Sequence, residues 1–534
     1  MERHHGSRTR GLSAGIEAVP QGPFFEGRFG RMFRNLPVFQ ANKDDLLALA
    51  ESMTQAGVVD NPAIPAGFTY LGQFVDHDIT FDPNSSLQRM NDPEGLVNFR
   101  TPRFDLDSLY GRGPVETPFL YEQDSPGGVK LLVGRVIDTD GNRIQDQHDL
   151  PRNDFRQPTD PQQRALIGDP RNVENTFVSQ LHLVFIKFHN KVVDKISNEQ
   201  PQLRGDDLFK EAQRIVRWHY QWVVIFDFLA RIIPEGMLDR LLRTDDEGMR
   251  SVRLRFYRPE RRPFMPVEFS AAAYRFGHSQ VRGRYKINTT VPVRPTFLPA
   301  SDLPPKENVF EFRTADFRGF RGLPPSWTVS WPFFFELDDG QGVLQQSFKI
   351  DTNISGPLVN ALPGADHQDP IDRSLPKRNL LRGKALGLPS GQRVARRMNV
   401  AHASILTGDD LGLEGDLADK FANETPLWFY ILKEAEVQQN GERLGTVGGR
   451  IVAEVLLGLL DGDPLSFLTG TVATAIVRAP PALARTGPPS LSLPCKTWRV
   501  LLQARRPSGR CLRQGRHTPP RTMRGPTYRR AGKA

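Results

Sequence analysis

Apolar residues along this chain recur with the period of helices far more often than with that of strands. Within 66–79, Phe68, Leu71, Val75 and Ile79 fall on one face, which leaves Gln73, Asp76 and His77 on another face of the same helix. From 172 to 196, Phe177, Leu181, Phe185, Phe188 and Val192 form one apolar stripe, and from 207 to 233 Leu208, Ala212, Ile215 and Val223 form a second. Pro266, a residue favoured in the first helical turn, is predicted to open a helix running through Phe269, Ala272, Ala273 and Phe276 to His278. A last helix is predicted over 450–460. The connections, such as 288–306 and 351–377, are rich in Pro and Gly, with few alternating runs and no repeat period. The pattern predicts a mainly α fold in which long core helices are joined by long irregular loops.

Composition changes this picture only at the ends. A net charge of +9 over 534 residues would suggest a nucleic-acid partner if it were spread over the fold. It is not: residues 478–534 hold 14 Lys or Arg and no Asp or Glu, so that +9 less 14 leaves the first 477 residues at −5. That Pro/Arg-rich tail is expected to be disordered and to lie outside the folded body, and its one Trp and one Tyr make no stacking platform for bases. Both cysteines, Cys495 and Cys511, lie in it, so the body has no disulfide framework, thiol nucleophile or zinc-thiolate site. Residues 1–45, with Phe24, Phe25, Phe29 and Phe33 among Gly, Arg and Pro, read as an extended arm without a helix. The first six residues carry no apolar signal region and no stretch reaches about 18 apolar residues. A soluble protein is expected, with no membrane span or standard signal peptide, cytoplasmic or exported by a non-standard route.

The densest chemistry lies in Gly72-Gln73-Phe74-Val75-Asp76-His77-Asp78, which sets an amide, two carboxylates and an imidazole into an apolar helix. Alone, such a histidine reads as a hydrogen-bonded core residue. Three further blocks answer it in chain order: Gly168-Asp169-Pro170-Arg171-Asn172-Val173-Glu174, Tyr274-Arg275-Phe276-Gly277-His278 and Asn379-Leu380-Leu381-Arg382. Together the four resemble the haem-site segments of the animal-type haem peroxidases, a family with bacterial members, over roughly residues 15–477.

That resemblance implies a catalytic domain over 46–477 with haem b buried among the long helices. His278 would be the axial iron ligand, Asn379 the partner that orients its imidazole, and Gly277 the point where backbone approaches the macrocycle. His77 would take a proton from hydrogen peroxide and return it to the leaving oxygen, Arg171 would stabilise charge on that oxygen, and Gln73 would orient water or an anion beside them. A ferryl haem would then oxidise small donors: phenols, halides or thiocyanate. Asp76 and Glu174 match carboxylates that form ester links to haem methyl groups. A mammalian member has Met after the second of these; this chain has Asn175, so chloride oxidation is not expected. Arg275 and Arg382 match arginines that pair with haem propionates. Thr101, Arg103 through its carbonyl, Asp105 and Asp107, together with Asp78, match a calcium loop and supply the hard oxygens calcium takes.

Two alternatives stand beside this reading. A fatty-acid dioxygenase of the same superfamily would need a tyrosine three residues before the axial histidine, where this chain has Arg275, with Tyr274 one place further out. An adhesion protein would use the same body as a scaffold, without need of a complete set of haem-site residues. The integrin-type tripeptide Arg204-Gly205-Asp206 precedes a helix, and reads as Asp206 or Asp207 capping it.

Overall fold

Helices carry the fold: α1 (Lys43–Ser52), α2 (Ala66–Ile79), α3 (Thr176–Glu199), α4 (Gly205–Val223), α5 (Leu375–Ala385), α6 (Leu427–Gln439) and α7 (Thr446–Asp461). The computed structural model describes residues 27–468, apart from 55–56, 83–89, 139–141, 154–163, 246–249, 260–262, 338–342 and 363–370. The start of the expected arm and the 478–534 tail lie outside the described residues. Among those residues strands pair only as two-stranded ribbons, and no helix is long and apolar enough to cross a membrane.

The apolar stripes predicted from the sequence meet at α2. Phe74 stacks on Phe185 of α3 at 4.9 Å, and Tyr70 on Phe177 at 4.3 Å. Aromatic pairs of this kind add to the burial of two large side chains, so α2 is fixed along its length against α3. On its other side lies the end of α4, which continues as a π-helical segment, Val224–Leu229. The widened turn brings Phe228 against α2, and Gly72 makes room for it: a Cβ there would stand 3.1 Å from the ring. Entry to α2 is set by a ribbon, Asp60–Pro65 paired antiparallel with Gln346–Phe348, and by Gly67 N–H donating to the Phe334 carbonyl at 2.9 Å. With three neighbours fixed, the polar face of α2 can turn only one way.

Helix limits differ from the sequence pattern at instructive points. Over 170–173 the chain is a tight 3-10 turn: Pro170 supplies no N–H and the Asp169 side chain accepts the Arg171 N–H. The α-helix starts afresh at Thr176, where Asn175 accepts the Val178 N–H at 2.9 Å. The helix expected over 266–278 is broken into Val267–Ser270 and a 3-10 turn at Ala273–His278, with Ala272 between them at φ −133° and ψ −74°. Asp206 and Asp207 do not cap α4; Gly205, at φ 47°, starts the helix before them, and Asp206 pairs with Lys210 in the first turn at 2.8 Å. Helix α1 begins inside the stretch expected to hold none. Ahead of it Phe29, Met32 and Phe33 are buried, and the Met32 and Phe33 N–H groups donate to buried Glu268 at 3.0 and 3.1 Å. This ties the N-terminal segment to the short helix that precedes the turn carrying His278.

Candidate active site

One cavity of about 700 Å³ is lined by His77 and His278 together, and by Gln73, Asp76, Arg171, Glu174, Arg275, Asn379 and Arg382. Residues up to about 300 apart in sequence thus face a single space, of the size that holds a cofactor.

On the first side, the His77 ring is fixed from behind, its Nδ1–H donating to Asn172 Oδ1 at 2.8 Å. Nε2 faces the cavity, 3.8 Å from Glu174 Oε2. The His77 backbone carbonyl accepts from Arg171 Nη2 at 2.9 Å and from Arg100 Nε at 3.0 Å. Arg171 is held in turn by buried Asp169, through Nε at 3.2 Å and Nη2 at 2.8 Å, and its guanidinium lies 4.3 Å from the Phe81 ring centre. Burial alone would raise the Asp169 carboxyl, but Arg100 and Arg171 outweigh it and hold the group well below the usual carboxylate range. Gln73 bridges the rim, donating to Glu174 at 3.1 Å and accepting from Asn175 at 2.9 Å. Thr80 Oγ1 donates to Asp76 Oδ1 at 3.0 Å.

On the opposite side, His278 Nδ1 lies 2.8 Å from Asn379 Nδ2. Burial, then the charges of Arg275 and Arg378, hold this imidazole well below its ordinary value, so it is neutral. Arg275 is half-buried, and its Nε is buried without a partner. Its value is lowered, first by desolvation, against the pull of Asp76. Arg382 meets Asp82 at 3.6 Å and is pushed down to about 10, by burial and then by Arg275. Asp76, Asp82 and Asp372 line the cavity beside Arg275, Arg378 and Arg382.

Behind α2 lies a third group. Carboxylate oxygens of the buried residues Asp78, Asp105 and Asp107 all fall within 4.8 Å of one another. Leu106, left-handed at φ 58°, turns the loop so that Leu106 N–H donates to Asp78 at 3.3 Å and Asp107 N–H to Asp105 at 3.2 Å. Thr101 donates to Asp105 at 2.6 Å, and the Arg103 side chain reaches Asp463 at 3.9 Å. Burial first, then mutual repulsion, raises Asp78 well above the carboxylate range and Asp105 to about 7.

Several of these residues escaped the sequence reading. Asn172 and Asp169 stood inside a block singled out for its arginine and glutamate; an Asp two places before an Arg across a proline was their available signal. Arg378 adjoins Asn379. Arg100 had no signal at all, yet it joins the parts: Nε to the His77 carbonyl, Nη1 to Asp107 at 3.3 Å and Nη2 to Asp169. Burial opposes its charge, but Asp107 and Asp169 raise it above its ordinary value.

Comparison with known proteins gives the same frame. The family model for animal haem peroxidase matches residues 82–404, more than half of the chain, beginning just after α2. Relatives include a chorion peroxidase of Aedes aegypti, 30% identical over 122 residues, 23% of this chain and 15% of that protein. A peroxidase-like protein of Margaritifera margaritifera is 28% identical over 229 residues, 42% of this chain and 26% of that one. The chain thus spans about a quarter or less of these curated relatives. Among solved structures, peroxidase A of Dictyostelium discoideum aligns with a TM-score of 0.56 at 15% identity, covering 84% of this chain and 90% of that one. A fatty acid alpha-dioxygenase of Arabidopsis thaliana aligns with a TM-score of 0.53 at 16% identity, covering 84% and 74%. At such identities the likeness to solved structures shows a common, mainly α fold. With that fold and a match over more than half its length, the chain belongs to the animal haem peroxidase family.

Proposed function

We propose that this protein is a haem peroxidase that reduces hydrogen peroxide and oxidises small donors. The observation that carries the reading is the pairing of a neutral, amide-backed His278 with His77 and Arg171 across one cavity. The residues present fit haem b. A Cβ on Gly277, which lines the cavity, would meet no protein atom within 4 Å, so glycine leaves open the space beside His278. Turned over, so that its oxygen rather than Nδ2 meets the ring, the Asn379 carboxamide would accept from Nδ1–H and leave the Nε2 lone pair for iron. Arg275, Arg378 and Arg382 form a cationic wall suited to two propionates, and the unpartnered Arg275 Nε is a donor awaiting an acceptor.

Bound there, haem would supply the electrons that reduce peroxide, recovering them from donors. The protein's own groups manage protons and charge. His77, with its Nδ1–H on Asn172, accepts a proton from peroxide at Nε2 and returns it to the departing oxygen. Arg171 stabilises negative charge on that oxygen while Asp169 holds its guanidinium in place. Gln73, clamped between Glu174 and Asn175, orients water or an anion beside them.

Finer assignments follow from the same site. Asp76 and Glu174 are the carboxylates for ester links to haem. Asn175 caps α3, a task for which Met has no acceptor, and in its place no sulfonium link can form; iodide, bromide, thiocyanate and phenols are the proposed donors rather than chloride. Asp78, Asp105 and Asp107 hold Ca2+, with Thr101 and the Arg103 carbonyl completing the oxygen set. Three buried carboxylates this close repel one another, and a divalent cation removes the repulsion.

The test is an absorption spectrum of protein produced with haem, before and after hydrogen peroxide, with and without iodide or a phenol. A haem band that changes with peroxide and recovers with donor is expected; protein that binds no haem, or whose haem ignores peroxide, overturns the proposal. A second reading, fatty-acid oxygenation, keeps one observation in its favour: the Tyr274 hydroxyl is buried without a partner and its residue lines the same cavity. Oxygen uptake with a fatty acid, lost in Tyr274→Phe, would favour that reading; no uptake would remove it.

A further inference from the structure

Directly behind the cavity runs a buried chain of side chains for which the peroxidase reading has no use beyond its first member. We propose that Asn172 holds His77 in the one tautomer that can accept a proton at Nε2, and that His182 fixes which way round the Asn172 carboxamide sits. Both would be positioning residues. The inference rests on His77 acting as the base.

His77 Nδ1 lies 2.8 Å from Asn172 Oδ1, and Asn172 Nδ2 lies 3.0 Å from His182 Nδ1. All three residues are buried. A neutral imidazole carries one ring proton, and a carboxamide oxygen at Nδ1 keeps it there, so Nε2 presents a lone pair to the cavity. Turned over, the amide would present N–H to Nδ1, the ring proton would move to Nε2, and the base would be lost. The two ends of an amide have nearly the same shape, so packing cannot choose between them; a hydrogen-bond partner must.

His182 is that partner. Burial, its largest influence, pushes its imidazole down to about 3, so the ring is neutral, and with its one proton on Nε2 its Nδ1 accepts from the amide. Phe74 stands edge-on to the ring, centroids 6.0 Å apart. His182 Nε2, which carries the proton in this tautomer, is buried with no partner. An unsatisfied N–H costs about 1–3 kcal/mol, and a fold that needed His182 only for packing would do better with an apolar residue. The groups facing His77 from other elements, Glu174, Asp169, Arg171 and Arg100, touch Nε2 or the backbone carbonyl or act through charge. None takes the place of Asn172 at Nδ1.

Two rates in the haem-loaded enzyme at fixed pH test this: reaction with peroxide, and association of cyanide. Hydrogen cyanide gives its proton to a base in the cavity as the anion binds, so the second rate reads the base without turnover. Asn172→Leu should slow both by roughly 10- to 100-fold. Asn172→Asp, whose oxygens both accept, should restore them to within about threefold of wild type whatever its stability. His182→Leu should slow both while Asn172 is present and change neither in the Asn172→Asp background. Nitrogen-15 shifts of the imidazoles in labelled protein, with His77 assigned from His77→Gln, should show a protonated Nδ1 that is lost in Asn172→Leu; this holds the test open if a variant retains haem poorly. Equal slowing by Leu and Asp, or an equal effect of His182→Leu in both backgrounds, or an unchanged tautomer, overturns the proposal. Wild-type rates in His77→Gln would instead remove the base reading on which it rests.

Discussion

The two histidines that line the cavity are held in opposite ways. Around His77 the protein finishes its own bonding: the ring meets Asn172, the backbone carbonyl meets Arg100 and Arg171, and both arginines meet Asp169. Around His278 the bonding is left open. One amide faces the ring, while Arg275, Arg378 and Arg382 crowd together, Arg275 depressed by burial and then Arg378, and Arg382 by burial and then Arg275. A side that closes on itself is set before any ligand arrives. A side that crowds cations around a cavity favours an anion there, and binding of that anion adds to the stability of the fold.

If this contrast is real, His278 and His77 must fail differently. His278→Ala should lose stable haem retention altogether, read as the haem-to-protein ratio after gel filtration. His77→Ala and Arg171→Ala should keep the haem but slow its first reaction with peroxide by roughly 10²-fold or more in stopped flow. Retention of haem with an unaltered spectrum in His278→Ala would end the assignment of that side.

On the closed side the largest structural effect belongs to Arg100. Arg100→Met strands Asp107 and Asp169, both buried, and should lower stability by about 3–5 kcal/mol in denaturant unfolding. Chelation, or Asp105→Ala, should lower Tm and the peroxide rate together, because the carboxylate loop reaches the His77 carbonyl through the same arginine. Active enzyme free of calcium by elemental analysis would break that link.

The open side should answer with the opposite sign. Arg378→Ala removes one of three crowded cations, so the haem-free protein should hold its Tm or gain slightly. Haem affinity should nonetheless fall roughly tenfold or more, as a charged partner of propionate is lost. A variant that loses apoprotein stability as Arg100→Met does would show that the two sides are built alike.

The sequence made one half of this contrast easier to read than the other. Period and composition revealed the long helices because Phe177, Leu181 and Phe185 repeat on one face and are buried there. The four short blocks held His77, Arg171, His278 and Asn379, which line the two sides of the cavity, since each carries chemistry that a plain core does not need. What stayed hidden was support. Asn172 and Arg100 act through bonds to residues 95 and 23 positions away, and no local pattern encodes such a distance. The break before His278 falls within Ala271, Ala272 and Ala273, three good helix formers that carry no stop signal. The π segment after α4 was equally silent, because its residues keep the apolar character of an ordinary helix.

The smallest effect concerns pH and sits under the open side. Glu434 of α6 is fully buried and accepts the Val447 N–H at 3.0 Å and the Gly448 N–H at 3.1 Å, at the start of α7. Helix α7 packs against the Ala273–His278 turn. Burial pushes this carboxyl up to about 7, against the pull of the two N–H donors. Its folded value therefore lies above the unfolded one, about 4.3. A carboxyl shifted in that direction favours the fold while protonated, so its contribution is present in full below about pH 4 and is lost as pH rises through 7. Wild-type Tm should carry a decline across this window that Glu434→Gln lacks, a difference of a few degrees at most. If the contrast holds, the decline will appear in haem retention as well, since it loosens the support of His278, while the tautomer of His77 stays as it was. A parallel loss at His77 would mean that α7 steadies both sides at once.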